Sequence, residues 1–497
     1  MRKVSISFAL CVMFLSMFFV GCSNKFDMDK FTKNLSSYTM DIVYNEDKTL
    51  SVKQTILYIN NTGTSLDNIM LHIYTKDFSE NATSNTVVSS LNFDKAYYGG
   101  LSYADINFTK ILVDNNECGY SFKNDNQNIL NIVFDNKLNV NDKINIYFEY
   151  NIVLPNINHR FGFGENTINV SNFYPIVSVY EDGAFDMDSY HYNGDPFYSD
   201  FANYYVTITT PKNYTLASSG NVLNCEELDT TKCYSIEGLG IRDFAFVMSD
   251  KYSVVSSTVN GVTIYYYYYN NTYPELCLET SVKALNTFTE LFGEYPYKTL
   301  NVCEASFVHG GMEYPNLVYI SDAVLDKNDY LNVIVHEIAH QWWYGVVGND
   351  QYKYGWLDEG LTEYSTLLFY EKNPDYNVDT KLLIKNQTNS YVTFIEVYKN
   401  VFDSVDTSMN RSLNEYDTEY EYVYIAYVKG MLFFNDLRAL VSDAKFFAAI
   451  KSYYLDHRFS FVTPEDLLYS FEKSTGITLE DYFASWINGN VEIISIN

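Results

Sequence analysis

Val333-Ile-Val-His336-Glu337-Ile-Ala-His340-Gln-Trp-Trp343 decides how the rest of this chain is read. Leu331, Ile334, Val335, Ile338, Ala339 and Trp342 recur at i, i+3, i+4, i+7, i+8 and i+11, which predicts one buried helix running through Trp343. At about 100° per residue, His336 and His340 lie only about 40° apart and leave the same face one turn from each other. Glu337 falls about 60° from His340, on the flank of the pair, where a carboxylate serves a reacting water better than it serves an ion. His-Glu-x-x-His on a helix is the pattern of two zinc ligands and a general base.

A catalytic zinc takes three protein ligands and leaves a fourth position open. The third candidate is Glu359 in Gly355-Trp-Leu-Asp358-Glu359-Gly-Leu-Thr-Glu363-Tyr364, with eighteen residues between it and His340. Leu357, Leu361, Tyr364, Leu367 and Leu368 share one face of this second predicted helix. Packed on the first, it brings Glu359 under the histidines. The expected site is one Zn2+ per chain on His336, His340 and Glu359, with Glu337 as base and Asp358 or Glu363 orienting the ligands. The plainer alternative is a pair of satisfied core histidines beside surface carboxylates. The motif, the amphipathic helix and a second Glu-bearing helix at this spacing together argue against it.

The chain of 497 residues is long enough for two or three domains, and 47% hydrophobic residues with 9 prolines and 23 glycines is a globular composition. Lys and Arg number 33 against 62 Asp and Glu, a net charge of −29. With no basic stripe to neutralise phosphates, nucleic acid is excluded as a partner. Tyrosine is abundant, at 48 residues, and composition alone attaches no chemistry to it.

Arg2 and Lys3 precede an almost uninterrupted apolar run over residues 6–20, and Phe19-Val20-Gly21-Cys22 offers small-residue cleavage ahead of a cysteine. Residues 1–21 are therefore expected to be a signal peptide and 22–37 a tether. Phe19 to Cys22 resemble the lipobox of bacterial lipoproteins, with Phe19 where Leu is usual. That resemblance implies lipidation of Cys22 and a chain anchored at the extracytoplasmic face of the cell membrane. An uncleaved membrane anchor is the alternative, although the run is short for a span of roughly 20 residues. Cys118, Cys225, Cys233, Cys277 and Cys303 remain, without Cys-x-x-Cys spacing. Cys225 and Cys233 are placed to bridge neighbouring strand ends in an oxidising compartment, and that pairing stays open here.

Residues 38–255 read as strands. Segments 38–44, 50–59, 69–74, 128–134, 143–150 and 204–210 alternate or run β-branched and aromatic, and no long helical pattern interrupts them. An all-β domain of sandwich or saddle type is expected. Residues 256–497 read as an α+β, mainly helical, domain. A strand at 262–269 leads to a helix at 274–292, an edge strand after Tyr295, the two zinc-bearing helices, a helix at 424–440, and a closing cluster at 446–454, 463–475 and 479–486.

His-Glu-x-x-His, eighteen residues, then Glu359 in a Trp-Leu-Asp-Glu-Gly context resembles the aminopeptidase N family of gluzincin zinc metallopeptidases. Upstream, His309-Gly310-Gly311-Met312-Glu313-Tyr314-Pro315 is similar to that family's G-x-M-E-N exopeptidase signature, with Tyr314 where Asn is usual. Downstream, Tyr427-Val428-Lys429-Gly430 is similar to its Y-E-K-G segment. The resemblance implies a β-rich N-terminal domain, which residues 241–247 close, and a thermolysin-like catalytic domain. It implies Tyr427 as the phenol that steadies the oxyanion, with Tyr420, Tyr422 and Tyr424 as competitors of the same type. It also implies Glu313 as the carboxylate that holds a peptide's free α-amine, a small cation suited to a fixed anion. Gly310 and Gly311 would let backbone approach the substrate, and Met312 would offer an apolar wall. Larger family members continue into another β module and a helical domain over the active site; this chain is expected to be a short form that stops after the catalytic domain, with a more open cleft.

The function these readings imply is a zinc aminopeptidase acting on peptides outside the cell membrane. A thermolysin-type endopeptidase on the same site is the alternative within hydrolases, and a non-catalytic peptide-binding surface lipoprotein the alternative outside them.

Overall fold

The computed structural model describes residues 26–82 and 87–496. The predicted signal peptide and Cys22 lie outside these residues. Among the described residues no helix is long and apolar enough to cross a membrane.

Alternation of buried and exposed residues along Ser37–Tyr44, Thr49–Ile59 and Lys143–Val153 makes these strands one-sided, and they sit together in an eight-stranded sheet. Its order runs from Asn221–Glu227 through Thr231–Ile241, Ala202–Pro211, Ser37–Tyr44, Thr49–Ile59, Lys143–Val153 and Asp105–Val113 to Asn116–Glu117. Two four-stranded sheets, built around Leu66–His72 with Ile129–Leu138 and around Ile168–Ser171 with Ala245–Ser249, complete the β-rich part. Ile42, Val52, Ile69, Leu71, Ile132 and Ile146 are among the side chains of their shared core. The all-β N-terminal domain is as expected from the strand pattern.

The second domain begins with a five-stranded sheet ordered Ser253–Val259, Val262–Tyr268, Thr299–Ala305, Leu317–Ser321, Gly311–Met312. The boundary read at 255/256 thus falls inside its first strand. Val262–Tyr268 and Thr299–Ala305 run parallel, and the helix Pro274–Leu291 makes the crossover that parallel strands require. Behind the sheet, the histidine helix Lys327–Ala339 packs on the glutamate helix Gln351–Lys372, and both bury almost all of their inward residues.

Several local readings are corrected. The histidine helix stops at Ala339 with His340 as its C-cap, so Gln341, Trp342 and Trp343 lie beyond it. Trp342 leaves the helical path because its indole donates to the Gly293 carbonyl, and Tyr344 sits at φ +112°. Residues 26–37 do not run free: Met28–Thr32 form a short helix, and the Phe26 and Phe31 rings pack at a tilt against Phe459, with centroids 4.7 and 4.9 Å away. The structure adds a helix, Thr380–Phe402, that the sequence pattern does not announce. Its apolar residues are mostly half-covered, and only Thr388, Tyr391 and Tyr398 are fully buried. The helix expected over 424–440 is present, but its first part, Val423–Lys429, is π-helical before the α-helix Gly430–Val441, and a short turn Glu419–Tyr422 precedes it. Cys225 and Cys233 are free. Cys225 pairs across the ladder with Tyr234 and Cys233 with Glu226, so the two thiols leave opposite faces of the sheet.

Candidate active site

The helical periodicity that places His336 and His340 one turn apart brings their Nε2 atoms to 3.1 Å. Glu359, from the middle of the glutamate helix, places Oε2 3.3 Å from His336 Nε2 and 3.2 Å from His340 Nε2. Ligands about 2.0–2.1 Å from a tetrahedral centre stand roughly 3.3–3.4 Å apart, so the triangle has the edges of a zinc face. Glu359 Oε2 is buried without a hydrogen-bond donor. Burial alone would raise this carboxyl, but His340 and His336 hold it down at about 2. Two imidazoles and a buried carboxylate converging on one point are a donor set that fits a divalent cation.

Each ligand is oriented from behind. His340 Nδ1 lies 3.0 Å from the Trp343 carbonyl, which leaves Nε2 free to face the centre. His336 Nδ1 lies 3.2 Å from Glu363 Oε1, the carboxylate–imidazole support expected of either Asp358 or Glu363. Asp358 instead accepts from Gln351 Nε2 at 2.8 Å. Glu337 flanks the pair with a buried, unpartnered Oε2. Burial raises its carboxyl to about 7 against the pull of both histidines, near the value suited to a general base at neutral pH. Gly311 is glycine because a Cβ there would collide with this carboxylate.

Tyr427 donates its hydroxyl to Glu359 Oε1 at 2.7 Å, and its ring lies parallel to His336. The competitors are placed elsewhere: Tyr424 is bonded to Ser390, Tyr420 is exposed, and Tyr422 packs edge-on against Tyr427. A cleft of about 420 Å³ opens in front of the histidines between the two domains. Gly310, Gly311, His336, Glu337 and Tyr427 line one side, and Arg160 and Asp195 of the β domain line the other.

One expectation for the Gly310–Pro315 loop needs correction. Met312 is not a wall of the cleft; it pairs with Tyr319 on the sheet edge and is buried with Phe307 and Leu317 in a small separate core. Glu313 does not stand on the cleft surface. It is buried, it accepts from Gln351 Nε2 at 2.9 Å, and burial together with Asp195 pushes its carboxyl well above the usual range. Its carboxylate nevertheless lies close to the centre: one oxygen, an Asp358 oxygen and a His340 nitrogen are all within 4.8 Å of one another. Tyr314 donates to Ser171 at 2.6 Å, a bond to the β domain.

Sequence reasoning missed four residues that hold this arrangement. Gln341 accepts from the Asn316 amide and donates to the Tyr314 carbonyl, tying the loop to the end of the histidine helix. Gln351 bridges Glu313 and Asp358. Arg160 pairs with Asp195 inside the cleft. Arg242, fully buried, donates to the carbonyls of Tyr344 and Asn349 and lies between the Tyr344 and Phe461 rings, while Tyr344 donates to Asp243 at 2.6 Å. Arg242 and Asp243 thereby brace the connector between the two zinc-bearing helices. The family resemblance marks the Ile241–Val247 segment only as the end of a domain; its one signal is adjacent opposite charges in an apolar run.

A β-rich domain facing an α+β domain, with His-Glu-x-x-His and a distant Glu converging across two helices, defines the gluzincin class. Residues 276–486 match the model of the Peptidase family M1 domain. It is similar to Aminopeptidase M1-D of Oryza sativa subsp. japonica, 25% identical over 47% of this chain and 27% of that protein. It is also similar to Aminopeptidase B of Mus musculus, 29% identical over 37% of this chain and 29% of that protein. The chain thus spans less than a third of the length of these curated relatives. Its fold matches the crystal structure of an M1 zinc metallopeptidase from Deinococcus radiodurans with a TM-score of 0.65 at 15% identity, covering 93% of this chain and 95% of that one. That structure is of a mutant enzyme, and the same mutant bound to a Tyr-Ser-Ala substrate matches with a TM-score of 0.65 at 16% identity.

Proposed function

We propose that this protein is a zinc-dependent aminopeptidase that removes N-terminal residues from peptides. The observation that carries the reading is the Glu313 carboxylate, buried beside His340 and one residue's reach from the centre that His336, His340 and Glu359 define. The ion, when bound, supplies a Lewis acid for the scissile carbonyl and lowers the pKa of a water. Glu337 takes the proton of the attacking water and passes it to the departing nitrogen. The Tyr427 hydroxyl, held ready by Glu359, turns to the carbonyl oxygen as charge develops there. Glu313, within electrostatic reach of Asp195, Glu337 and Glu359, is the carboxylate offered to a substrate's protonated α-amine, a cation that a blocked terminus lacks. The complex of the Deinococcus enzyme with Tyr-Ser-Ala supports a peptide substrate.

The test is hydrolysis of aminoacyl arylamides and peptides against the same compounds N-acetylated, with zinc measured in wild type and Glu337→Gln. Cleavage of free-amine substrates alone, lost in Glu337→Gln with zinc retained, is expected. The second reading is an endopeptidase on the same site, favoured by the hydrogen bond that already occupies Glu313. Cleavage of the blocked set alone would establish it.

We further propose attachment to the outer face of the cell membrane through Cys22. The support is Arg2 and Lys3, the apolar run over 6–20 and the lipobox-like Phe19 to Cys22. Fatty-acid labelling that disappears in Cys22→Ser, with the protein released from membranes, is the expected result.

A further inference from the structure

Away from the cleft, the β domain buries a carboxylate with one oxygen left unanswered. Asp77, on the short 3-10 turn Tyr74–Phe78, keeps only 2% of its surface in solvent. Its Oδ1 accepts from Asn128 Nδ2 at 2.7 Å and from Asn126 Nδ2 at 3.2 Å. Its Oδ2 is equally buried and meets no donor among the described residues. No cationic side chain among them pairs with it; Lys76, its neighbour in sequence, reaches toward Asp105 at 4.0 Å. An anion buried in this way is costly unless a cation or a proton joins it.

The loop Asn124-Asp125-Asn126-Gln127-Asn128, between the strands Gly119–Lys123 and Ile129–Leu138, closes on this carboxylate. Asn124, Asn126 and Asn128 alternate along it, the spacing of ligand positions 1, 3 and 5 in a calcium loop. All three amides meet in one cluster. Asn124 Nδ2 donates to Asn128 Oδ1, the Asn128 backbone N–H donates to Asn124 Oδ1 at 3.3 Å, and Asn126 and Asn128 hold Asp77. Ile129 stands where a calcium loop has glycine, and Asn124 at φ +58° and Gln127 at φ +54° close the turn instead. Rotating an Asn amide about its last bond puts oxygen where nitrogen was, so groups that now donate to Asp77 can offer oxygen to an ion. Asn124 and Asp125 are exposed, which gives an ion a way in from solvent.

We propose that Asp77, Asn124, Asn126 and Asn128 form a second metal site, for calcium, separate from the zinc centre. A hard cation with all-oxygen ligands suits the set, and calcium accepts an irregular cage where magnesium demands a near-octahedral one and keeps its waters. One carboxylate among neutral oxygens makes a weak site, with a Kd of about 10⁻⁴–10⁻³ M, the class found in extracellular modules. The ion clamps the hairpin loop to the turn whose Phe78 ring packs edge-on against Phe161 and Tyr190 at 5.4 and 5.7 Å, next to the cleft residue Arg160. Without calcium a proton takes its place, since burial raises the Asp77 carboxyl. The site does not depend on the peptidase reading.

The test uses the zinc-loaded full chain, freed of other divalent ions and titrated with CaCl2 at constant ionic strength. Calorimetry should show one Ca2+ per chain with a Kd of about 10⁻⁴–10⁻³ M, and the Tm should rise over the same range, while MgCl2 does neither. Asp77→Asn keeps the shape and the bond from Asn128, and Asn124→Ala alters only a surface residue, so neither threatens the fold. Each should weaken calcium binding by at least about tenfold with zinc content unchanged. A chain of net charge −29 also gathers cations diffusely. Equal responses to calcium and magnesium, or calcium binding that survives Asp77→Asn, assign the effect to that diffuse charge and overturn the proposal. So does an absence of binding up to about 10⁻² M, ten times the weak end of the expected range.

Discussion

Gly360 and Gly430 cross with no side chain between them: a Cβ on either would stand 2.7 Å from the other's Cα. Gly360 follows the ligand Glu359, and Gly430 lies three residues beyond Tyr427. The crossing therefore sets how far the glutamate helix stands from the helix that delivers the phenol, and it is what allows Tyr427 to meet Glu359 at 2.7 Å. The glycines of two motifs 70 residues apart in sequence are one contact. Lys429 secures the same junction, donating from a fully buried Nζ to the carbonyls of Thr407 and Trp486.

Gly430→Ala should force these helices apart. Overpacking of this kind costs about 1–3 kcal/mol. A lowered Tm is expected, with a loss of kcat larger than that of zinc content, because the ligands sit on the other side of the crossing. Unchanged Tm and kcat would show that the contact is slack.

Tyr427→Phe removes one hydroxyl and leaves the ring against His336. A fall of about 10²–10³ in kcat is expected, the usual cost of an oxyanion donor, with zinc content unchanged. Steady-state kinetics with metal analysis decide it; an effect confined to KM would remove the phenol from the transition state.

Chelation should lower stability as well as activity. Without a cation, burial opposes charge on His340, yet Glu359 holds its pKa up at about 10, so the empty cluster recruits protons in place of the ion. Zinc at a hundred times its dissociation constant adds about 2.7 kcal/mol to the folded state. Thermal unfolding with chelator and after zinc addition measures the difference, and coincident curves would mean that the three donors hold no ion.

Stability should also fall as pH rises through neutrality, through a group remote from the site. Burial raises Asp77 to about 7 from 3.8, with Asn128 and Asn126 pulling it back. The folded chain keeps this proton to higher pH than the unfolded chain does. Its contribution is fully present below about pH 4 and is lost as pH rises through about 7, on the order of 1.4 kcal/mol per pH unit while only the folded state holds the proton. Asp77→Asn, whose amide oxygen keeps the bond from Asn128, should flatten the Tm profile between pH 5 and 7. An unaltered slope would assign the pH dependence to other buried carboxyls.

The reach of sequence reasoning follows the range of the interactions involved. His336 and His340 share a face because a helix repeats every 3.6 residues, and that is a local property. Glu359 was legible because its own helix has a clear apolar stripe at a telling distance. The π-helical stretch around Tyr427 was not, since its sequence has the same apolar spacing as an α-helix and only packing against two neighbours selects the wider turn. The helix Thr380–Phe402 escaped because it is half-covered and lacks a sharply buried stripe. Met312 is misassigned, and the Cys225–Cys233 pairing stays open in the sequence, for a related reason: which face of a strand looks inward depends on register, and register is a property of the pair.

From its sequence alone this protein's strand-rich first half, its helical second half and the zinc-binding trio were determined, because hydrophobic period and turn-to-turn geometry act over a few residues. The distance between Glu359 and Tyr427, the burial of Glu313 behind Gln351, and the bracing of the zinc connector by Arg242 and Asp243 were decided only by the tertiary structure. Each joins residues that are far apart along the chain, and their meeting depends on how whole elements pack rather than on what any one of them spells.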